Sequence, residues 1–185
     1  MLKEAPRDEG LWNNEAREGR IWIHREIERG LGFSVAAHLD SLERDGNTKE
    51  VLIDINSYGG EISAAMAMIH RMLSMKTQIM TVCSGVAFSA GLLLVAGGDH
   101  RRAYPYSRFL FHGGSTAFGY QKAQQHLENA LEMVRVDEMI SEYMAMVTKK
   151  TKKHWMSMCT SGKDVWIPVE QALEWGIIDE LVSFK

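Results

Sequence analysis

One serine of the sequence stands where a nucleophile could work. Ser89 lies in the segment CSGVAFSAG, between a β-rich run that ends near Gly85 and the apolar run LLLVAG. This pattern predicts a strand, followed by a helix that begins near Phe88 and carries Ser89 at its N-terminus. The unpaired N–H groups and the positive dipole end of such a terminus favour a developing oxyanion. The alternative is an ordinary helix serine that donates to the carbonyl one turn back.

A nucleophilic serine needs a base within hydrogen-bond reach and a third group that orients this base. His112 is the best candidate for the base, because it follows the apolar run FLF and precedes a glycine pair. Asp164 is the candidate for the acid, and Asp54, inside an apolar strand, is its rival. Each residue alone also has a structural interpretation, with His112 as an edge residue, Asp164 as a cap and Asp54 as a satisfied carboxylate.

The elements that must position these residues alternate between strands and helices. Strands are predicted over 20–27, 51–56, 77–83, 102–104, 108–111 and 177–182, and helices over 33–42, 62–75, 120–149, 152–159 and 168–175. The first strand–helix–strand unit predicts a parallel sheet in an α/β fold. The turn SYGG adds Gly59 and Gly60, where a backbone donor has no Cβ beside it. The methionines of the longest helix are interpreted as packing residues.

Composition limits the kinds of protein that this chain encodes. Its 185 residues, 45% of them hydrophobic, are enough for one domain with a proper core, and a net charge of −3 does not favour nucleic-acid binding. No apolar run is long enough to span a bilayer, and the charged N-terminus lacks the apolar core of a secretory signal. Cys83 and Cys159 have no metal or redox spacing. We therefore expect a cytoplasmic protein without a metal or another cofactor.

Over nearly its whole length, from about residue 20 to residue 182, the sequence resembles the proteolytic subunit of the Clp protease. The matching motifs are INSYGG against the family's INSPGG, GVAFSAG against GxAxSxG, FLFH against MIH, the GKD triplet, and ALEWGIID against AxxYGLID. The resemblance implies the ClpP/crotonase-like spiral of strand–strand–helix units with a protruding handle helix. Residues 1–19 would form an N-terminal arm and residues 20–185 a single peptidase domain, with the handle at about 113–150.

The same resemblance implies a serine endopeptidase that hydrolyses peptides or unfolded proteins. Ser89, His112 and Asp164 would form its triad, and the backbone N–H groups of Gly60 and Ala90 would form the oxyanion hole. Ser89 would attack the peptide carbonyl, and His112 would take its proton and return it to the leaving amine.

Substrate binding and assembly are also implied by the resemblance. Substrate would bind as an added strand beside Gly59, Gly113 and Gly114. Two stacked heptameric rings would enclose the sites in a homo-oligomeric tetradecamer. ATP would act only through a partner AAA+ unfoldase, and neither a nucleic acid nor a membrane is an implied partner.

The sequence departs from the family at several positions of these motifs. Tyr58 replaces a proline, Ala90 replaces a methionine, Gly113-Gly114 replaces Gln-Pro, and Lys163 precedes the acid where arginine is common. These departures indicate a divergent member, such as one encoded by a phage or an accessory lineage. A capsid-maturation protease on the same fold and a catalytically inactive ring-forming paralogue are the alternatives.

Overall fold

The structure is a computed structural model that describes residues 19–115, 119–120 and 122–184. Apart from Gly19, the predicted N-terminal arm lies outside the described residues. The strands are β1 (Arg20–Ile23), β2 (Glu50–Ser57), β3 (Gln78–Phe88), β4 (His100–Ala103), β5 (Arg108–Phe111), β6 (Val165–Ile167) and β7 (Glu180–Leu181). The helices are α1 (Arg29–Asp45), α2 (Ile62–Ser74), α3 (Ala90–Ala96), α4 (Ala123–Val147), α5 (Lys152–Cys159) and α6 (Val169–Trp175). The predicted α/β class is confirmed.

The sheet is organised around the long strand β3. The order β1-β2-β3-β4-β7 is parallel throughout, which confirms the arrangement predicted from the first strand–helix–strand unit. The first half of β3 pairs with β4, whereas its last three residues pair in parallel with β5, and β6 joins β5 antiparallel. Because parallel strands end at the same edge of a sheet, the residues that follow β3 and β5 leave it side by side. These residues are Ser89 and His112.

The first strand is shorter than predicted. The pairing of β1 with β2 stops at Ile23, not at Ile27, because the hydroxyl of Ser57 donates to the carbonyl oxygen of Arg25 at 2.7 Å and takes the place of a ladder hydrogen bond. Beyond this point only an isolated bridge joins Ile27 to Gly60. This bridge holds the glycine turn against the end of β1.

The last strand is also shorter than the predicted range 177–182. The N–H groups of Ile177 and Ile178 both donate to the carbonyl oxygen of Ala172, at 2.8 and 3.3 Å. They complete the C-terminus of α6 and are therefore not available to a strand. β7 is left with Glu180 and Leu181.

One hydrophobic cluster connects the sheet to the helices. It contains fully buried residues from β1 to β6 and from all six helices of the described chain, among them Ile53, Phe109, Leu39, Met68 and Trp155. A single cluster of this extent gives β3 and β5 a rigid support on which side chains at their ends are held.

Helix α4 is fixed to this core only by its last turns. Its four buried residues are Ile140, Ser141, Tyr143 and Met144, whereas Leu127, Leu131, Val134 and Met139 are exposed. The hydroxyl of Tyr143 donates to the carbonyl oxygen of Leu93 in α3 at 2.9 Å. The N-terminal part of α4 therefore extends away from the core, as expected of a protruding helix.

A partly exposed ion pair fastens the C-terminal end of α4 to the sheet. Arg101 of β4 contacts Asp179 through Nη2 at 2.6 Å and Nε at 3.0 Å, and its Nη1 also donates to the carbonyl oxygen of Val147, the last residue of α4. Burial acts to raise the pKa of Asp179, but the hydrogen bonds and the charge of Arg101 outweigh it and hold this pKa below its ordinary value. The ionised carboxylate therefore stabilises the fold.

The substitution Asp179→Asn tests this ion pair. Because the carboxylate is about one third exposed, we expect the free energy of unfolding at pH 7 to fall by only about 1 kcal/mol. A folded-state pKa that is lowered gives stability above the unfolded pKa of about 3.9, and this stability is lost as the pH falls through the folded value. Urea unfolding at fixed protein concentration should show a difference from the wild type that shrinks below about pH 4. A difference that stays constant into acid would contradict the assignment, and the exposed Glu138→Gln is the control.

Candidate active site

Ser89 occupies a sharp turn between β3 and α3. Its φ and ψ are 51° and −121°, and it is the only non-glycine residue with positive φ in the described chain. Its N–H donates to the carbonyl oxygen of Leu110 at 2.8 Å, and its own carbonyl accepts from Leu92 at 3.0 Å. Backbone strain of this kind costs about 1–3 kcal/mol and is concentrated at functional sites.

The predicted start of the helix near Phe88 is wrong by two residues. β3 continues through Phe88 because this residue pairs with Leu110 of β5, and the helix begins only at Ala90. Ser89 is thus the N-cap and not a residue of the first turn. The alternative interpretation as an ordinary helix serine is excluded.

The glycine turn after β2 lies directly against Ser89. A Cβ on Gly59 would lie 2.9 Å from the Cβ of Ser89 and 2.7 Å from the carbonyl oxygen of Phe88. A Cβ on Gly60, whose φ is 143°, would lie 2.1 Å from the carbonyl oxygen of Ile27. Both residues must therefore be glycine, for reasons of space and of backbone conformation.

Two backbone N–H groups beside Ser89 are free to bind an anion. Ala90 is the first residue of α3, so its N–H has no acceptor within the helix. In the described part of the chain, neither Gly60 nor Ala90 donates to another backbone group outside the regular elements. Their positions therefore suit the oxyanion-hole role that the resemblance implies for them.

His112 follows β5 and has one ring nitrogen already engaged. Its Nδ1 lies 2.5 Å from the carbonyl oxygen of Gly113. Because a carbonyl oxygen only accepts, Nδ1 must carry the hydrogen, and in the neutral ring Nε2 is then the acceptor. This is the tautomer that a general base needs.

Ser89 and His112 line the same cavity, which has a volume of about 450 Å³. Its walls are mainly apolar and come from α2 and α4: Ile62, Met66, Met133, Val136 and Met139. Met133 and Met139, which the sequence analysis interpreted first as packing residues, therefore face the candidate site. The signal that could have located them is the apolar series Met133, Val136 and Met139, in which each residue follows the previous one by three positions and so lies next to it on the helix surface.

The carboxylate predicted to complete the triad is not bonded to the histidine. The antiparallel register pairs Phe111 with Val165, so the next position places Asp164 opposite His112. Asp164 is exposed, however, and among the described residues no hydrogen bond joins it to His112 or joins His112 to Ser89. Its catalytic role stays a prediction. The rival Asp54 accepts from His24 at 3.0 Å and has the structural role considered for it.

The segment after His112 is held by a carboxylate that the sequence analysis did not identify. Gly114 donates its N–H to Oδ1 of Asp137 in α4 at 2.6 Å. A Cβ on Gly113 would lie 2.9 Å from the carbonyl oxygen of Cys159 and 3.2 Å from the same carboxylate. Gly113 and Gly114 thus pass closely between α4 and α5, beside the cavity.

One ionised carboxylate lies at the wall of the cavity. Glu61 accepts from the hydroxyl of Ser63 at 2.8 Å and from Arg29 at 3.3 Å, and these hydrogen bonds lower the pKa of its carboxyl. The described residues contain no group of three histidine, cysteine or acidic side chains that could hold a metal ion. Nor does any described helix combine the length and the apolar character required to cross a membrane.

Ser89 at a strained strand–helix turn thus shares a cavity with His112, the residue that follows β5. The sequence model of the Clp protease family matches residues 5–185, and the chain belongs to this family. Membership supports a peptidase activity and confirms both the resemblance and the ClpP-like α/β fold.

Similar proteins include several cyanobacterial peptidase subunits. The chain is 27% identical over 175 residues to the ATP-dependent Clp protease proteolytic subunit 2 of Prochlorococcus marinus (strain NATL2A), covering 94% of this chain and 86% of that protein. It is 28% identical over 169 residues to proteolytic subunit 2 of Prochlorococcus marinus subsp. pastoris (strain CCMP1986 / NIES-2087 / MED4), covering 88% and 81%. It is 26% identical over 165 residues to proteolytic subunit 3 of Synechococcus sp. (strain CC9902), covering 88% and 82%. These identities are those of a divergent member.

The substitution Gly60→Ala tests the close approach of the glycine turn. The new Cβ would meet the carbonyl oxygen of Ile27, so we expect the free energy of unfolding to fall by more than about 2 kcal/mol. Gly119→Ala is the matched control, because a Cβ there meets no atom of the described residues within 4 Å, and its effect should stay within about 0.5 kcal/mol. Equal urea-unfolding curves for the two variants would show that the turn is not constrained in this way.

Proposed function

We propose that this protein is a serine endopeptidase with Ser89 as its nucleophile and His112 as its general base. The observation that carries the proposal is the strained turn at Ser89, which lies in one cavity with His112 and beside the free N–H groups of Gly60 and Ala90. Membership of the Clp protease family supports the same reaction class.

In the proposed reaction, Nε2 of His112 takes the hydroxyl proton as Ser89 Oγ attacks the peptide carbonyl carbon. The N–H groups of Gly60 and Ala90 donate to the oxyanion that forms. His112 then gives its proton to the leaving amine, and the carbon–nitrogen bond breaks to leave an acyl-serine. A water molecule, activated by the same histidine, hydrolyses this ester and restores the serine.

The proposed substrates are peptides and unfolded chains with an apolar residue on the acyl side of the cut. An extended chain would pair as an added strand beside Gly59 and the segment 113–114, which are next in sequence to the cavity residues Gly60, His112 and Ser115. The side chain before the cut would then enter the apolar wall formed by Met66, Met133 and Met139. Peptide hydrolysis of this kind requires neither a metal nor another cofactor.

The proposed assembly is a homo-oligomer of two stacked heptameric rings in the cytoplasm. Support comes from the family and from the apolar side chains on the extending part of α4: Leu127, Leu131 and Val134, each about half exposed. Exposed apolar residues on one element favour burial against another copy. ATP would enter only through a partner AAA+ unfoldase, and the two Prochlorococcus proteins are subunits of ATP-dependent proteases.

Covalent labelling tests the nucleophile. Incubation with a fluorophosphonate should add one adduct to the wild type and none to Ser89→Ala, as measured by intact mass. His112→Ala should slow labelling by about 100-fold or more, because the hydroxyl loses its base. Ser84→Ala, in the same strand but outside the cavity, is the control and should label normally. An adduct on Ser89→Ala would assign the reactive residue elsewhere.

A second candidate function is that of a ring-forming subunit without its own activity. It is favoured by the absence of hydrogen bonds between His112 and either Ser89 or Asp164 within the described chain. This candidate predicts a large assembly in sizing experiments and no adduct on the wild type. The labelling experiment therefore separates the two.

The apolar wall gives a specificity prediction. Met133→Lys places an ammonium group against apolar side chains, so kcat/KM for peptides with leucine or methionine before the cut should fall about tenfold or more. Labelling by a small fluorophosphonate should be nearly unchanged, since the wall and not the nucleophile is altered. Met146→Lys, at an exposed position of the same helix, is the control. Equal losses in the two lysine variants would show that Met133 does not contact substrate.

A further inference from the structure

We propose that Asp137 of α4 is a positioning residue that orients His112 through the peptide group between Gly113 and Gly114. The inference rests on the proposed function, because it concerns the residue proposed as the base. Asp137 would thus orient His112 through one intervening peptide group, a role that the resemblance gives to Asp164.

Two short hydrogen bonds meet on this one peptide group. Its N–H, which belongs to Gly114, donates to Oδ1 of Asp137 at 2.6 Å. Its carbonyl, which belongs to Gly113, accepts from Nδ1 of His112 at 2.5 Å. Both distances are shorter than the usual value of about 2.9 Å for N–H···O bonds. The carboxylate, the amide and the imidazole thus form a continuous hydrogen-bonded chain.

Such a chain strengthens each of its bonds. A carboxylate that accepts from an amide N–H polarises the amide, and its carbonyl oxygen becomes a better acceptor. The oxygen then holds the Nδ1 hydrogen of His112 more firmly, which fixes the tautomer and leaves Nε2 as the acceptor facing the cavity. The same polarised carbonyl oxygen also places negative charge beside the imidazolium that forms when Nε2 takes a proton.

The surrounding structure holds this peptide group in place. Gly113 has no room for a Cβ between the carbonyl oxygen of Cys159 and the carboxylate, and the side chain of Val136 lies 3.5 Å from where a Cβ of Gly114 would be. α4 and α5 therefore enclose the segment from both sides. Ile140 and Ser141, about one turn after Asp137 on the same helix, are buried, so the helix that carries the carboxylate is fixed to the core close to this position.

The rival carboxylate has no such connection. Asp164 is exposed, and within the described chain it forms no hydrogen bond to His112. Nδ1 of His112 is already bonded to Gly113, so Asp164 could reach it only after that bond breaks. If Asp137 orients His112, substitutions of Asp137 lower activity. If Asp164 alone orients it, the same substitutions leave activity unchanged.

The substitutions Asp137→Asn and Asp137→Ala separate the charge from the geometry. An asparagine oxygen still accepts from Gly114, so Asp137→Asn should lower kcat for a peptide and the fluorophosphonate labelling rate by about tenfold, with KM unchanged. Alanine removes the acceptor, and the loss should reach about 100-fold. Glu138→Gln, an exposed acidic residue next along the helix, is the control and should behave as the wild type.

A second measurement keeps the inference testable if the chain does not label at all. In protein labelled with ¹⁵N-histidine, the His112 signals of the wild type should be those of a ring with the hydrogen on Nδ1, and Asp137→Ala should shift them or remove the Nδ1–H signal. No adduct on the wild type, with this change present, would overturn the proposed function but would still show that Asp137 orients the His112 ring.

The opposite results overturn the inference. They are a fluorophosphonate labelling rate in Asp137→Ala equal to that of the wild type, or His112 signals that do not change in this variant. Asp137 would have a purely structural role if activity were lost only through unfolding. In that case Asp137→Asn and Asp137→Ala would lose labelling only in proportion to their loss of stability to urea.

Discussion

The candidate site depends on the contact between the backbone at Gly59 and the turn at Ser89. No side chain fits between them, and Gly60, the next residue of the turn, lines the same cavity as Ser89. The strain at Ser89 is tolerated because hydrogen bonds hold both sides of the contact. The N–H of Ser89 donates to Leu110 of β5, and the carbonyl oxygen of Gly59 accepts from the N–H of Ile27. The single hydrophobic cluster that supports β2 and β3 makes this contact a property of the fold and not of a flexible loop.

The order of the elements and the meeting of Ser89 with His112 were predictable from the sequence. Apolar periodicity identifies the strands and helices, and a parallel pair of strands brings the residues after them to one edge. The start of α3 was not predictable to the residue, because GVAFSAG contains small residues that suit either a strand or a helix. The pairing of Phe88 with β5 extends the strand to this residue, so the helix begins only after it.

The orienting carboxylate was beyond the reach of the sequence for a different reason. Asp137 is one of several acidic residues on a long polar helix, and no local pattern shows that its oxygen meets a backbone N–H 23 residues away. Asp164, in contrast, has a clear motif, but its side chain lies past the end of a short strand. The strand register fixes its place opposite His112 and leaves its side chain free to point into solvent.

Helix α4 holds a wall of the cavity, the carboxylate beside the histidine loop and the apolar surface that extends from the core, although only four of its residues are buried. Contact made at its exposed end and occupation of the cavity therefore act on one rigid element. By thermodynamic linkage, a partner bound at the exposed end and a ligand bound in the cavity change each other's affinity by the same factor wherever both shift this helix. The effect of a neighbouring molecule on the affinity for substrate is then equal to the effect of substrate on the affinity for that neighbour.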